Sequence, residues 1–251
     1  ERIRNMSPEQ RRMFAPFLHE KSTRGQLLRT IDAISLASYT GNVLITGEEG
    51  TGALDLAKAL LRNVHMTDGN FSGKVAVTSG SSINRKGPAA YLERLQNGGL
   101  VIDHASTLTE ETVDALHGAL EKEDHGAIVL LIDTPGNMNR FWGRYEQRLR
   151  DHFTTRVDIR ALSEEELIRH AERYAQRQDC RLEPGGRDAL AEKIHQLQTP
   201  AHAVTPEEVR GLIDDAIASA ERKTAGHFMD SMLRRRYDAD DMLLLRDKDF
   251  R

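Results

Sequence analysis

Between Asn42 and Ile159, five short runs of β-branched and aliphatic residues alternate with helical patterns, and this alternation restricts the fold more than any other feature of the chain. The runs are Asn42 to Thr46, Lys74 to Thr78, Leu100 to Asp103, Ile128 to Ile132 and Thr155 to Ile159. Between them Leu54, Ala57, Leu60 and Leu61, and later Val113, Leu116 and Leu120, recur at helical spacing. A strand buried on both faces reads as a near-continuous apolar run, and strands joined through helices run parallel. The expected fold class is therefore α/β, a parallel sheet flanked by helices.

On either side the texture is helical. Ser7-Pro8-Glu9-Gln10 offers an N-cap, a proline at the first helical position and a Gln that completes a capping box. A second helix carries Leu27, Leu28, Ile31, Ile34 and Leu36 toward Thr40-Gly41. After Ser163 no further strand is expected. Ser163-Glu164-Glu165-Glu166 reads as a capping box, Leu190, Ile194 and Leu197 mark another helix, and Thr205-Pro206-Glu207-Glu208 caps a third bearing Val209, Leu212, Ile213, Ala216 and Ala220. The predicted organisation is an N-terminal helical extension (1–39), an α/β domain (40–162), a three-helix lid (163–224) and a C-terminal tail (225–251). In that tail Arg234, Arg235 and Arg236 are offset by Asp238, Asp240 and Asp241, and the apolar cluster Met242 to Leu245 is expected to pack back on the protein.

Composition narrows the function classes. Thirty-five Lys plus Arg against thirty-nine Asp plus Glu leave a net charge of −4 with no long basic block, so nucleic acid is not an expected partner. No apolar run approaches the ~18 residues a spanning helix needs, so no membrane role is expected. The single cysteine, Cys180, excludes an internal disulfide and fits a reducing, cytoplasmic setting. Ten histidines show no HExxH and no zinc-ligand spacing, so no metal is expected. No signal peptide is legible, and the start at Glu1 without a Met is expected of a piece of a longer protein.

The most informative local segment is Asn42-Val43-Leu44-Ile45-Thr46-Gly47-Glu48-Glu49-Gly50-Thr51-Gly52-Ala53-Leu54, a strand, a glycine-rich turn and a helix. A phosphate-binding loop needs glycines so that backbone N–H groups can face phosphate at a helix N-terminus, then a lysine followed by Ser or Thr. The glycines are present. Ala53 stands at the lysine position, Leu54 at the magnesium-hydroxyl position, and Glu48 and Glu49 bring negative charge. Such a turn is more often a tight connection than a ligand site, but strand, turn and helix together favour descent from a nucleotide-binding loop. Gly98-Gly99-Leu100-Val101-Ile102-Asp103-His104 adds an apolar strand that ends in an acid, placing Asp103 at the C-terminal edge of a parallel sheet, where such folds bind ligands. His104 stands beside it, either a base near neutral pH or a polar remnant.

From Gly41 to Lys223 the chain resembles the AAA+ ATPases, within them the branch of the red-type rubisco activases, the stage V sporulation protein K family and the type VII secretion ATPases. Besides the two motifs above, the resemblance rests on Leu130-Leu131-Ile132-Asp133-Thr134-Pro135-Gly136-Asn137-Met138 and on Arg148-Leu149-Arg150-Asp151-His152-Phe153. It implies a P-loop NTPase-like sheet with a C-terminal helical lid, and site roles that the residues here do not supply. His104 replaces the catalytic Glu, His152 replaces the trans-acting arginine finger, Thr134 or Asp133 stands for the sensing side chain after the fourth strand, and Arg210 is a remote substitute for the lid arginine. Lys58, Arg85 and Lys86 are the nearby cations, read as solvated.

The expected function is a degenerate AAA+ module, a pseudo-ATPase that acts as a protein-interaction scaffold or regulatory subunit with protein partners in a homo- or hetero-oligomer. No cofactor is expected under that reading. The alternatives are a weak or partner-completed ATPase that remodels proteins with ATP and Mg, and a nucleotide sensor without hydrolysis. The vestigial positions are Gly47, Glu48, Glu49, Gly50, Thr51, Gly52, Ala53, Leu54, Asp103, His104, Thr134 and His152, with no catalytic residue assigned.

Overall fold

The computed structural model describes residues 5–34, 41–122, 126–225 and 236–251, which divide into one unit up to Arg160 and another from Ala161. The first unit opens with α1 (Pro8–Phe14), a 3-10 turn (Ala15–Phe17) and α2 (Lys21–Ala33). It continues as β1 (Val43–Gly47), α3 (Ala53–Thr67), β2 (Val75–Ser79), α4 (Gly80–Lys86), α5 (Pro88–Leu92) and β3 (Gly99–Asp103). Then come α6 (Glu110–Leu120), β4 (Ile128–Asp133), α7 (Pro135–Leu149) and β5 (Thr155–Ile159). Each apolar run of the sequence becomes a strand with ends shifted by no more than a residue. Leu36, Thr40, Arg234 and Arg235 lie outside the described residues.

The strands form a parallel sheet in the order β2-β3-β4-β1-β5. Successive side chains of a strand point to opposite faces, which divides the core into two layers. Leu44, Leu100, Ile102, Val129 and Leu131 meet Ile83, Val113, Leu116, Met138 and Phe141 from the helices α4, α6 and α7. Val43, Ile45, Val101, Leu130 and Val157 meet Phe14, Leu27, Leu56, Leu60 and Leu61 from α1, α2 and α3. Burying each such side chain stabilises the fold by about 1.5–3 kcal/mol.

The N-terminal helices belong to this packing. Ser7 Oγ accepts from the Gln10 N–H at 3.1 Å while Gln10 Oε1 accepts from the Ser7 N–H at 2.9 Å, the capping box expected there. From α2, Gln26 Oε1 accepts from the Asp158 N–H at 2.7 Å, and the Thr23 hydroxyl donates to the Asp158 carbonyl at 2.8 Å. The outer edge of β5 is thus paired by side chains, which covers backbone groups that an edge strand otherwise offers to another chain. Gln26→Ala leaves the Asp158 N–H without this acceptor and is expected to cost about 1–3 kcal/mol, read as a lowered urea midpoint with an unchanged slope.

The second unit contains α8 (Glu164–Arg177), β6 (Cys180–Leu182), α9 (Pro184–Leu197), α10 (Pro206–Ala225) and β7 (Leu243–Leu245). Ser163 and Glu166 form the second expected capping box. Leu167, Ala171, Leu190, Ile194, Val209, Ile213 and Ala216 make the core. The expectation that no strand follows Ser163 is corrected here, because β6 and β7 pair in parallel with Cys180 opposite Leu243 and Leu182 opposite Leu245. Strands of three residues are too short to show a period, and their pairing joins segments distant in sequence. Leu243 and Leu245 are buried, so the apolar cluster of the tail packs into this unit. Gly186 allows this, since a Cβ there would collide with the Leu245 carbonyl. Arg236 is buried with Asp249, donating from Nη1 at 2.8 Å and from Nη2 at 2.9 Å to the two carboxylate oxygens.

Candidate functional site

The turn between β1 and α3 depends on glycine at two positions. Gly50 has φ 82° and Gly52 has φ 84°, a region that side chains with a Cβ seldom enter. The turn is also closed on itself, because the Glu48 carbonyl accepts both the Thr51 N–H at 3.1 Å and the Thr51 hydroxyl at 2.6 Å. Both hydrogen-bond donors of Thr51 are therefore engaged inside the loop. Gly52 precedes α3 without a side-chain cap, and Asp55 lies in the first helical turn.

A cavity of about 500 Å³ opens above this turn at the C-terminal ends of β1, β3 and β4, the edge where open α/β sheets bind ligands. The structure brings Gly47, Glu48, Glu49, Gly50, Gly52, Ala53, Leu54, Asp103, His104 and Thr134 to its wall, together with Asp55, Asp133 and Asn137. Five carboxylates (Glu48, Glu49, Asp55, Asp103 and Asp133) line it, and among the described residues no lysine or arginine does. Lys58 is exposed on α3, Arg85 donates to Ser82 Oγ at 3.5 Å, and Lys86 lies 5.9 Å from the Tyr91 ring centre. Arg210, in the second unit, donates to the His170 ring at 3.2 Å.

Two of the acids are held in place. Asp133 is 4% exposed and accepts from the N–H groups of Ser106 at 2.9 Å and Thr134 at 2.7 Å, and from Asn137 Nδ2 at 3.0 Å. Burial pushes this carboxyl up, but the hydrogen bonds from Ser106, Asn137 and Thr134 outweigh it and hold the pKa below the usual value, so Asp133 is a fixed anion at neutral pH. Asp103 Oδ1 accepts from the His104 N–H at 2.8 Å, and His104 Nε2 lies 3.9 Å from Asp103 Oδ2. His104 adopts the left-handed conformation at φ 51°, with its side chain 72% exposed. Thr134 caps α7, its hydroxyl accepting from the Asn137 N–H at 3.4 Å.

His152 is not brought to this cavity. It sits between α7 and β5, with Nε2 3.0 Å from His117 Nδ1 and 3.0 Å from Glu121 Oε1. Burial lowers its pKa, against the opposing charge of Glu121. Reading the sequence missed Asp55 and Asn137 at the cavity and His117 and Glu121 beside His152. The one available signal for Asn137 is its place four residues after Asp133, at the start of a helix capped by Thr134.

No protein-family model matches the sequence, and neither does any curated protein. Solved structures do. A mutant of Thermotoga maritima RuvB aligns over 89% of this chain and 72% of its own, with a TM-score of 0.51 and 19% identity. A second RuvB mutant from the same organism aligns over 92% of this chain and 67% of its own, with a TM-score of 0.51 and 18% identity. Domain III of the Thermotoga maritima replication initiation protein DnaA aligns over 90% and 93%, with a TM-score of 0.48 and 15% identity. The likeness to RuvB is one of fold. The chain has the α/β architecture of the AAA+ P-loop ATPases, a five-stranded parallel sheet flanked by helices and followed by C-terminal helices.

Proposed function

We propose that this AAA+ module is a non-hydrolysing pseudo-ATPase, serving protein partners as a scaffold or regulatory subunit. The observation that carries this reading is the charge of the cavity wall, where five carboxylates converge and, among the described residues, neither lysine nor arginine is present. A nucleoside triphosphate entering there brings more negative charge against fixed anions such as Asp133. Unit charges of like sign at 4 Å cost about 4 kcal/mol at an effective dielectric constant of 20. In this reading Gly47 to Leu54, Asp103, His104, Thr134 and His152 are vestigial positions, a strand, glycine-rich turn and helix among them, without the groups that stabilise transferred charge. Within the AAA+ proteins the sequence resemblance favours the branch of the red-type rubisco activases, with residues 163–224 as the counterpart of the lid. Protein rather than nucleic acid is the proposed partner, supported by the net charge of −4. A reducing, cytoplasmic setting fits Cys180, whose buried thiol is pushed up to about 11 and resists oxidation.

Two measurements on purified protein test the reading. Calorimetric titration with ATP and magnesium is expected to give no saturation in the micromolar range, and phosphate release is expected to stay at background. Hydrolysis abolished by Asp103→Ala defeats the proposal in favour of an active ATPase. Micromolar binding without hydrolysis replaces it with a nucleotide sensor.

A further inference from the structure

We infer that His117, Glu121 and His152 form a binding site for a single zinc ion, separate from the nucleotide-like cavity and independent of the function proposed above. His117 lies in the last turn of α6 and Glu121 just beyond its end, four residues on, so both side chains project from one helix face. His152 comes from the segment after α7, 35 residues from His117 in sequence. The three ligand atoms, one from each side chain, all lie within 4.8 Å of one another.

The separations fit a metal. His117 Nδ1 to His152 Nε2 is 3.0 Å, His152 Nε2 to Glu121 Oε1 is 3.0 Å, and His117 Nδ1 to Glu121 Oε1 is 3.8 Å. Ligand atoms about 2.0–2.2 Å from a tetrahedral zinc stand about 3.3 Å apart, inside this range. Two imidazoles and one carboxylate are also a donor set zinc accepts, whereas magnesium and calcium favour oxygen alone.

Hydrogen bonding by itself satisfies the cluster poorly. His152 Nε2 carries either one proton or one lone pair, yet it faces two acceptor-capable atoms at 3.0 Å. If it bears the proton, that proton serves Glu121 or the lone pair of His117, not both in good geometry. If it accepts from His117, its lone pair is taken and Glu121 is left against it with no proton between them. A cation at the centre satisfies all three atoms together.

The scaffold is already in place. Leu116 and Leu120 of α6 and Leu149 and Phe153 beside His152 are buried in one core layer. One helical turn or more away, Arg148 joins the same two helices through Glu110 at 2.9 Å and Asp114 at 3.0 Å. His152 is 12% exposed, while His117 and Glu121 are 37% and 59% exposed. The site is thus anchored on its inner side and open on its outer side, where an ion can enter and keep a water as fourth ligand.

The test is a zinc titration of chelator-stripped whole chain in competition with a chromogenic chelator. One equivalent is expected to bind at micromolar affinity or tighter. His117→Ala, at a half-buried position, and Glu121→Gln, at an exposed one, are each expected to weaken it about tenfold or more. His195→Ala removes another surface histidine, 3.8 Å from Glu164, and is expected to change nothing. Circular dichroism confirms that the variants stay folded. The inference is overturned if no saturable zinc binding is found, if His117→Ala and Glu121→Gln bind like the parent, or if His195→Ala weakens binding as much as they do.

Discussion

Introducing Ala53→Lys together with Leu54→Thr is expected to raise ATP affinity about tenfold or more and to leave turnover at background. Both positions open α3 and line the cavity, so a lysine and a hydroxyl there reach the space where phosphate and magnesium sit in an intact loop. A charge-assisted hydrogen bond contributes about 1.5–3 kcal/mol, and each 1.4 kcal/mol is a tenfold change in affinity. Glu48 and Glu49 remain in the wall and hold the gain toward the lower end. Turnover stays absent because these two groups act on the bound ground state, whereas an arginine finger, whose position the resemblance gives to His152, is alone worth ~10³–10⁵ in rate. Calorimetry and a phosphate-release assay on the double variant check both halves. A folded double variant that binds no better than the parent removes Gly47 to Leu54 from the phosphate loops. One that hydrolyses ATP at an ordinary rate gives the acid–base role to another residue, with His104 the nearest, and ends the pseudo-ATPase reading.

The second large effect is on stability. Asp249→Ala is expected to destabilise the C-terminal unit by about 3–5 kcal/mol, because it leaves the Arg236 guanidinium buried without its partner. Arg236→Met combined with Asp249→Leu is expected to cost less than Asp249→Ala alone, since replacing both charges leaves neither one unpaired. Urea unfolding followed by circular dichroism measures each. The same pair sets a pH dependence. Burial pushes the Asp249 carboxyl up, but the bonds from Arg236 and the Arg246 N–H, with the nearby charge of Lys223, hold it below the ordinary value. A depressed carboxyl contributes its full stabilisation above the unfolded pKa of about 3.9 and loses it as pH falls from there through the lower folded value. The parent is therefore expected to lose stability below about pH 4 more steeply than the Arg236→Met, Asp249→Leu variant.

Much of the molecule was legible because the interactions that specify it are local. Strand runs announce themselves by β-branched composition, and Ser7 and Ser163 cap helices with partners three residues away. Ala53 and Leu54, read as standing where a phosphate loop carries lysine and a hydroxyl, are found in the sequence as soon as the strand and helix around them are recognised. The parallel α/β class and the position of the loop at a strand end follow from such short-range signals.

What the tertiary structure alone decided depends on which distant segments meet. Gln26 seals the edge of β5 across a sequence separation of 132 residues, a pairing that no periodicity encodes. β7 completes a sheet with β6 because Leu243 and Leu245 leave water there and Gly186 leaves room for the backbone. Asp55 and Asp133 come from different elements to join Glu48, Glu49 and Asp103, so the negative charge of the cavity is the sum of separate loops converging on one sheet edge. His152, which the sequence resemblance aligns with a trans-acting arginine, meets His117 and Glu121, because α6 and α7 pack on the same sheet face. Sequence by itself determined the five strands of the main sheet and the side chains that stand in the glycine-rich turn. The packing of the helices against the sheet decided which side chains became neighbours, because burial rewards any arrangement that removes apolar surface from water and only the folded topology selects one.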